Sequence, residues 1–125
     1  MPNKRILVVE DDLMNMRLAQ HVLEVDGYTV VKAATGQEAL KQIESTLPDL
    51  ILMDLQLPDI DGMTLVRILR AKAITRDTTI LALTAYAMKG DREKILQIGC
   101  NDYISKPINV REFINTVRGY LDPGN

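Results

Sequence analysis

The chain holds one cysteine among 125 residues, so no internal disulfide can form. That agrees with a reducing compartment. No apolar run approaches the length of a membrane span. The N-terminal residues lead into a short apolar run that is too brief for a signal-peptide core. Basic residues are not in excess: Lys and Arg number 15 against 17 for Asp and Glu, a net charge of -2. A dedicated nucleic-acid binder shows the opposite balance. Internal repeats, low-complexity tracts and Pro/Gly/Ser-rich linkers are also missing. There is no Gly-rich phosphate loop, so ATP is not the obvious phosphoryl donor. No His, Cys or Ser triad is apparent. These absences predict one cytoplasmic domain over residues 1–125, with no separate output domain. They predict no membrane contact and no direct nucleic-acid contact.

Short apolar runs alternate with helical patterns. Runs at Arg5 to Val9, Tyr28 to Ala33, Asp49 to Met53, Thr79 to Leu83 and Asp102 to Ile104 predict five strands, most of them buried on both faces. The segment Met14 to Asp26 predicts a helix with Met14, Leu18, Val22 and Val25 on its inner stripe. Gly27 supplies its stop. Thr35 and Glu38 form a capping box for a second helix, with Ala39, Leu40, Ile43 and Leu47 inward. Leu65, Val66 and Leu69 mark a third helix, over Gly62 to Lys72. Ile95 and Ile98 mark a fourth, from Met88 to Ile98 and ended by Gly99. Asn109 and Glu112 resemble another capping box, followed by Phe113, Ile114, Val117 and Leu121 at helical spacing. The order is (βα)5, an α/β fold with helices on both faces of a parallel sheet. Such sheets bind ligands beyond the carboxyl ends of their strands.

The chemistry-bearing residues fall at those ends. Glu10, Asp11 and Asp12 follow the first strand, and Asp54 ends the third. Thr84 and Ala85 end the fourth, and Ser105-Lys106-Pro107 follow the fifth. Clustered carboxylates raise one another's cost of ionisation, so a cation must compensate. Hard oxygen ligands with room for water suit Mg²⁺. An unprotonated Asp is a competent nucleophile and can form an aspartyl-phosphate. Lys106 can pair with phosphoryl oxygens, and Thr84 can donate a hydrogen bond to one.

The segments VVEDD at 8–12, LILMDLQLPDIDG at 50–62, LTAYA at 83–87 and YISKP at 103–107 resemble a response-regulator receiver domain of the CheY-like superfamily. Each is weak alone; four in order, with receiver spacing across the whole chain, are specific. The resemblance implies a flavodoxin-like sheet of order 2-1-3-4-5. It implies that Asp54 is the phosphoacceptor and that Glu10, Asp11, Asp54 and the backbone carbonyl of Gln56 hold Mg²⁺, with Mn²⁺ as a substitute. Thr84 becomes the switch hydroxyl, Lys106 the phosphate-binding lysine and Tyr103 the switch aromatic. A cis bond before Pro107 is implied too. Glu10 departs from the commoner Asp-Asp pair. The stretch TAYAMKGDREK at 84–94 is similar to DivK-like single-domain regulators and to hybrid-kinase receivers. The implied partners are a sensor histidine kinase or histidine phosphotransferase and a downstream protein, met by a monomer through its fourth helix, fifth strand and fifth helix.

Two other classes use the same residues. A Mg²⁺-dependent phosphatase would share the carboxylate chemistry, but the chain has no cap or specificity insertion. A phosphate-independent binding module would not need Asp54, Thr84 and Lys106 together. Elsewhere the plain readings are preferred. Asp12 is a helix cap, His21 a poor catalytic candidate, and Cys100 a packing residue. The methionines are core filler. Lys89, Arg92 and Lys94 make one solvated helix face, and Arg67, Arg70 and Lys72 another.

Overall fold

A computed structural model describes residues 4–85 and 89–122. Five strands alternate with five helices: β1 (Arg5–Val9), α1 (Leu13–Val25), β2 (Thr29–Ala33), α2 (Gly36–Ser45), β3 (Leu50–Asp54), α3 (Gly62–Ala71), β4 (Thr79–Thr84), α4 (Lys89–Gln97), β5 (Asp102–Ser105) and α5 (Val110–Leu121). The strands form one parallel sheet in the order β2-β1-β3-β4-β5. The predicted alternation and strand order are therefore both present, with bounds shifted by a residue or so. The inner strands β1, β3 and β4 are almost wholly buried, whereas the edge strands β2 and β5 are partly open.

Alternate strand residues face opposite sides of the sheet, and each side has its own core. Ile6, Val8, Leu50, Leu52, Leu81 and Leu83 face α1 and α5, meeting Leu23, Phe113 and Val117. Leu7, Val9, Ile51, Met53, Ile80 and Ala82 face α2, α3 and α4, meeting Ile43, Leu65, Leu69 and Ile95. Burying one Leu or Ile contributes roughly 1.5–3 kcal/mol, so these two layers drive folding.

The helices begin where expected. Asp12, Thr35 and Asn109 accept from the backbone N–H three residues on, and Asp61 caps α3 by accepting from Met63 N. Glu38 completes its box one residue further out, accepting from Ala34 N at 2.8 Å. After α1 and α4 the chain reverses through Gly27 (φ 95) and Gly99 (φ 119), a conformation that Cβ-bearing residues disfavour.

The inner face of α1 differs from expectation. Met16, Ala19 and Leu23 are buried. Met14 is 72% exposed, Val25 76% and Leu18 37%. Val22 of the expected stripe packs against the same core from its edge, so the buried face of α1 is rotated towards Met16, Ala19 and Leu23. Met14 is accordingly not core, unlike Met16 and Met53. Leu47 lies beyond the end of α2 and is 51% exposed. Met88, expected at the start of the fourth helix, lies outside the described residues. Among the described residues no helix is long and apolar enough to cross a membrane.

Candidate functional site

Parallel strands deliver all their carboxyl ends to one rim. The register pairs Val9 with Met53, Asp54 with Leu83, and Thr84 with Ser105. One step beyond those pairs stand Glu10, Asp54, Thr84 and Lys106. Glu10, Asp54 and Thr84 are buried, and Asp11 is exposed at the mouth. Single carboxylate oxygens of Glu10, Asp11 and Asp54 all lie within 4.8 Å of one another.

Lys106 reaches into this cluster. Its Nζ donates to Asp54 Oδ2 at 2.9 Å and stands 2.8 Å from Glu10 Oε1. The second contact is ionic without hydrogen-bond direction: Oε1 is buried and no hydrogen bond satisfies it. The other oxygen of each acid is held by backbone. Gln56 N donates to Asp54 Oδ1 at 2.9 Å, and Asp12 N donates to Glu10 Oε2 at 3.1 Å. Lys106 is itself anchored by its N–H to the Thr84 carbonyl, at 2.9 Å. The Lys106-Pro107 bond is cis, as expected.

The crowding appears in the protonation equilibria. Burial, and then the neighbouring Asp54 carboxyl, push the Glu10 carboxyl up to about 7. Burial works against the Lys106 ammonium, but Glu10 and Asp54 outweigh it and raise its pKa. One ammonium thus serves two buried acids, and a third acid stands beside them. An oxygen-only donor set with a buried, unsatisfied carboxylate oxygen fits a hard divalent cation.

The remaining predicted residues lie around this rim. Thr84 ends β4 and lines a cleft of about 400 Å³ together with Leu55, Met63, Asp91 and Ile95. Tyr103 is half-buried on β5. The Arg92 guanidinium lies over its ring, 5.2 Å from the centroid. Arg92 is therefore more than part of a solvated face, although its side chain is exposed. Asp12 caps α1 as expected. His21 is exposed on α1, away from the acids. Cys100 is buried, and burial pushes its thiol up to about 11, which makes it an inert packing residue.

Two residues escaped the sequence reading. Arg70 is no solvated cation: its guanidinium binds backbone carbonyls and Asn101 at the opposite end of the sheet. Asp59, inside the PDIDG run, bonds both oxygens to the start of α2. The only sequence signal for Asp59 was its place within a motif whose other members had assigned roles.

Fold and rim together are those of a two-component signalling switch. Residues 6–118 match the family model of the response regulator receiver domain, and the chain belongs to that family. Within the family its resemblance is narrower. It is 44% identical over 118 residues to the polar-differentiation response regulator DivK of Brucella abortus, covering 94% of this chain and 96% of that one. A putative response regulator from Chloroflexus aurantiacus superposes with a TM-score of 0.91 at 37% identity, covering 96% of this chain and 98% of the other. The receiver domain of a Pseudomonas aeruginosa sensor histidine kinase, solved with a magnesium ion coordinated in its active site cleft, gives 0.87 at 38% identity, with coverage of 96% and 98%. The chain is thus a DivK-like response regulator receiver, whose business is signalling rather than metabolic turnover.

Proposed function

We propose that Asp54 accepts a phosphoryl group from a phosphohistidine on a kinase or phosphotransferase partner. The observation that carries this reading is the buried Asp54 carboxylate, which shares one lysine with Glu10 inside a cluster of three acids. Asp11, Asp54, the backbone carbonyl of Gln56, and Glu10 directly or through water, would hold Mg²⁺, with Mn²⁺ as a substitute. When bound, the ion neutralises the acids and the incoming phosphoryl oxygens.

The chain's own residues do the rest. Gln56 N–H and Lys106 fix the Asp54 carboxylate in the rim. An oxygen of that carboxylate attacks phosphorus as the P–N bond breaks, and the electron pair returns to the imidazole nitrogen. Lys106 then pairs with a phosphoryl oxygen instead of the bare carboxylate. Thr84 donates its hydroxyl to another. Movement of Thr84 opens space along β4 for the Tyr103 ring, and the α4–β5–α5 surface changes. That is a population shift biased by charge, read by whichever partner binds the phosphorylated form better. Hydrolysis of the acyl phosphate by water, also catalysed at this site, resets it.

The test is intact mass after incubation with Mg²⁺ and acetyl phosphate, beside Asp54→Ala. The expected result is one phosphoryl adduct on the wild type, abolished by EDTA and by the substitution. An adduct that persists in Asp54→Ala would move the acceptor elsewhere. A second measurement addresses the switch: phosphorylated Thr84→Ala should lack the spectral shift of the wild type. A full shift would remove that hydroxyl from the coupling.

A further inference from the structure

The loop from Leu55 to Asp61, between β3 and α3, is pinned at both ends by different means. At its base Gln56 and Asp61 form an antiparallel bridge. Gly62 N donates to the Leu55 carbonyl at 3.1 Å. A Cβ on Gly62 would meet Leu55 Cα at 2.5 Å, so the loop is folded hard back onto the end of β3. At its tip the loop touches a different element. Asp59 Oδ1 accepts from Gly36 N at 2.8 Å, and Asp59 Oδ2 accepts from Gln37 N at 3.0 Å. Beside it Ile60 packs so closely that a Cβ on Gly36 would meet Ile60 Cγ2 at 2.2 Å.

The first turn of a helix has N–H groups with no intrahelical acceptor. In α2 the third of them is met by Thr35 Oγ1, at 3.1 Å. The first two are met by Asp59, which lies 23 and 22 residues away. A carboxylate at a helix N-terminus also sits at the positive end of the dipole. Those two backbone bonds hold the Asp59 carboxyl below its ordinary range. Asp59 thus makes α2 the anchor of a loop whose base carries Gln56.

We propose that Asp59 is a positioning residue for the acidic site: its bonds to Gly36 and Gln37, with Ile60 seated against Gly36, fix the loop so that Gln56 is held ready for the metal. This rests on the reading of Gln56 as a ligand. Loss of the clamp removes no ligand but frees the loop that carries Gln56, so metal binding must then order it. Groups that orient ligands in this way typically change metal affinity by about tenfold or more when removed.

The experiment compares the metal-free wild type with Asp59→Ala, Asp59→Asn, Gly36→Ala and Thr35→Ala. Mg²⁺ affinity is read by calorimetry, and backbone amide exchange over residues 56–61 by mass spectrometry. Asp59→Ala should weaken Mg²⁺ binding about tenfold and speed exchange in the loop. Asp59→Asn keeps one acceptor oxygen and should recover part of both. Gly36→Ala, which displaces Ile60 from the other side, should speed loop exchange with Asp59 intact. Thr35→Ala takes a cap from the same helix without touching the loop. It should lower the melting temperature yet leave Mg²⁺ affinity within about twofold, far short of the tenfold loss.

Unchanged Mg²⁺ affinity and unchanged exchange in Asp59→Ala would make Asp59 a mere cap and overturn the proposal. So would an equal loss in Thr35→Ala, which would trace the effect to helix stability. If the wild type itself binds no Mg²⁺, the metal reading fails, and faster loop exchange in Asp59→Ala still decides whether the clamp exists.

Discussion

The two ends of the sheet treat polar groups in opposite ways. At the amino-terminal end, Arg70 places its guanidinium among carbonyls. Nε donates to the Gly99 carbonyl at 2.9 Å, and Nη1 to the carbonyls of Thr75, Arg76 and Thr78 at 3.1, 3.1 and 2.6 Å. Nη2 donates to Asn101 Oδ1 at 2.9 Å. The fully buried Thr75 hydroxyl donates to the Leu69 carbonyl at 2.5 Å. Here the donors meet neutral carbonyl and amide oxygens. At the carboxyl-terminal end, two buried acids share a single ammonium, and one of their oxygens lacks a hydrogen bond. One end gives each guanidinium nitrogen an oxygen acceptor, whereas the other crowds two acids onto one ammonium. A site that must respond to a ligand holds its polar groups short of satisfaction, and stability is supplied elsewhere.

The sharpest way to break this contrast is to remove the crowding. Asp54→Asn keeps the acceptor for Gln56 N–H and deletes a charge. Phosphoryl labelling should vanish entirely, while the metal-free melting temperature holds or rises. A clear fall in melting temperature would mean that Asp54 stabilises the fold after all.

Acidity gives the next largest effect. Glu10 is raised from 4.5 to about 7 in the folded protein. Between those values the folded state keeps a proton that the unfolded chain has released. Its contribution to stability is therefore full below about 4.5 and is lost as pH rises towards 7. Urea melts without metal should lose at most about 3 kcal/mol across that range. Glu10→Gln should flatten the slope, and an equally steep slope in that variant would assign it to other groups.

At the satisfied end, Arg70→Ala strips one donor group from several carbonyls and should cost about 2 kcal/mol in denaturant melts. Phosphoryl labelling should proceed at the wild-type rate. Slower labelling would show that the two ends communicate. The smallest effect belongs to Thr75→Val, which leaves the Leu69 carbonyl without the hydroxyl and should cost about 1 kcal/mol. Thr75 and Thr84 are both buried threonines. The first should matter to stability alone and the second to signalling.

The contrast also explains what could be read from the sequence. The carboxyl-terminal rim was legible because the topology of a parallel sheet sends each strand end to one place. Glu10, Asp54, Thr84 and Lys106 needed only that rule to be grouped. The satisfied end was opaque. Arg70 finds its carbonyls on loops after α3 and α4, and nothing in a spacing pattern says that an arginine on a charged helix turns inward. Asp59 was hidden for the same reason, since its acceptors' partners are backbone N–H groups of α2. The face of α1 was read only in part: Val22 packs against the core, but Met14, Leu18 and Val25 are exposed and repeat as regularly as the buried Met16, Ala19 and Leu23. Periodicity alone cannot rank two overlapping stripes on one helix.

Cys100 is buried at the quiet end, next in sequence to the Gly99 carbonyl that Arg70 binds, and is reluctant to ionise. As the single thiol in the chain, it is a built-in stopwatch for that region. An alkylating reagent reaches it only when the β4–β5 end opens, so its modification rate counts openings without any engineered label. A thiol introduced at the acidic rim would react on its own clock, and the two rates could be followed in the same molecule.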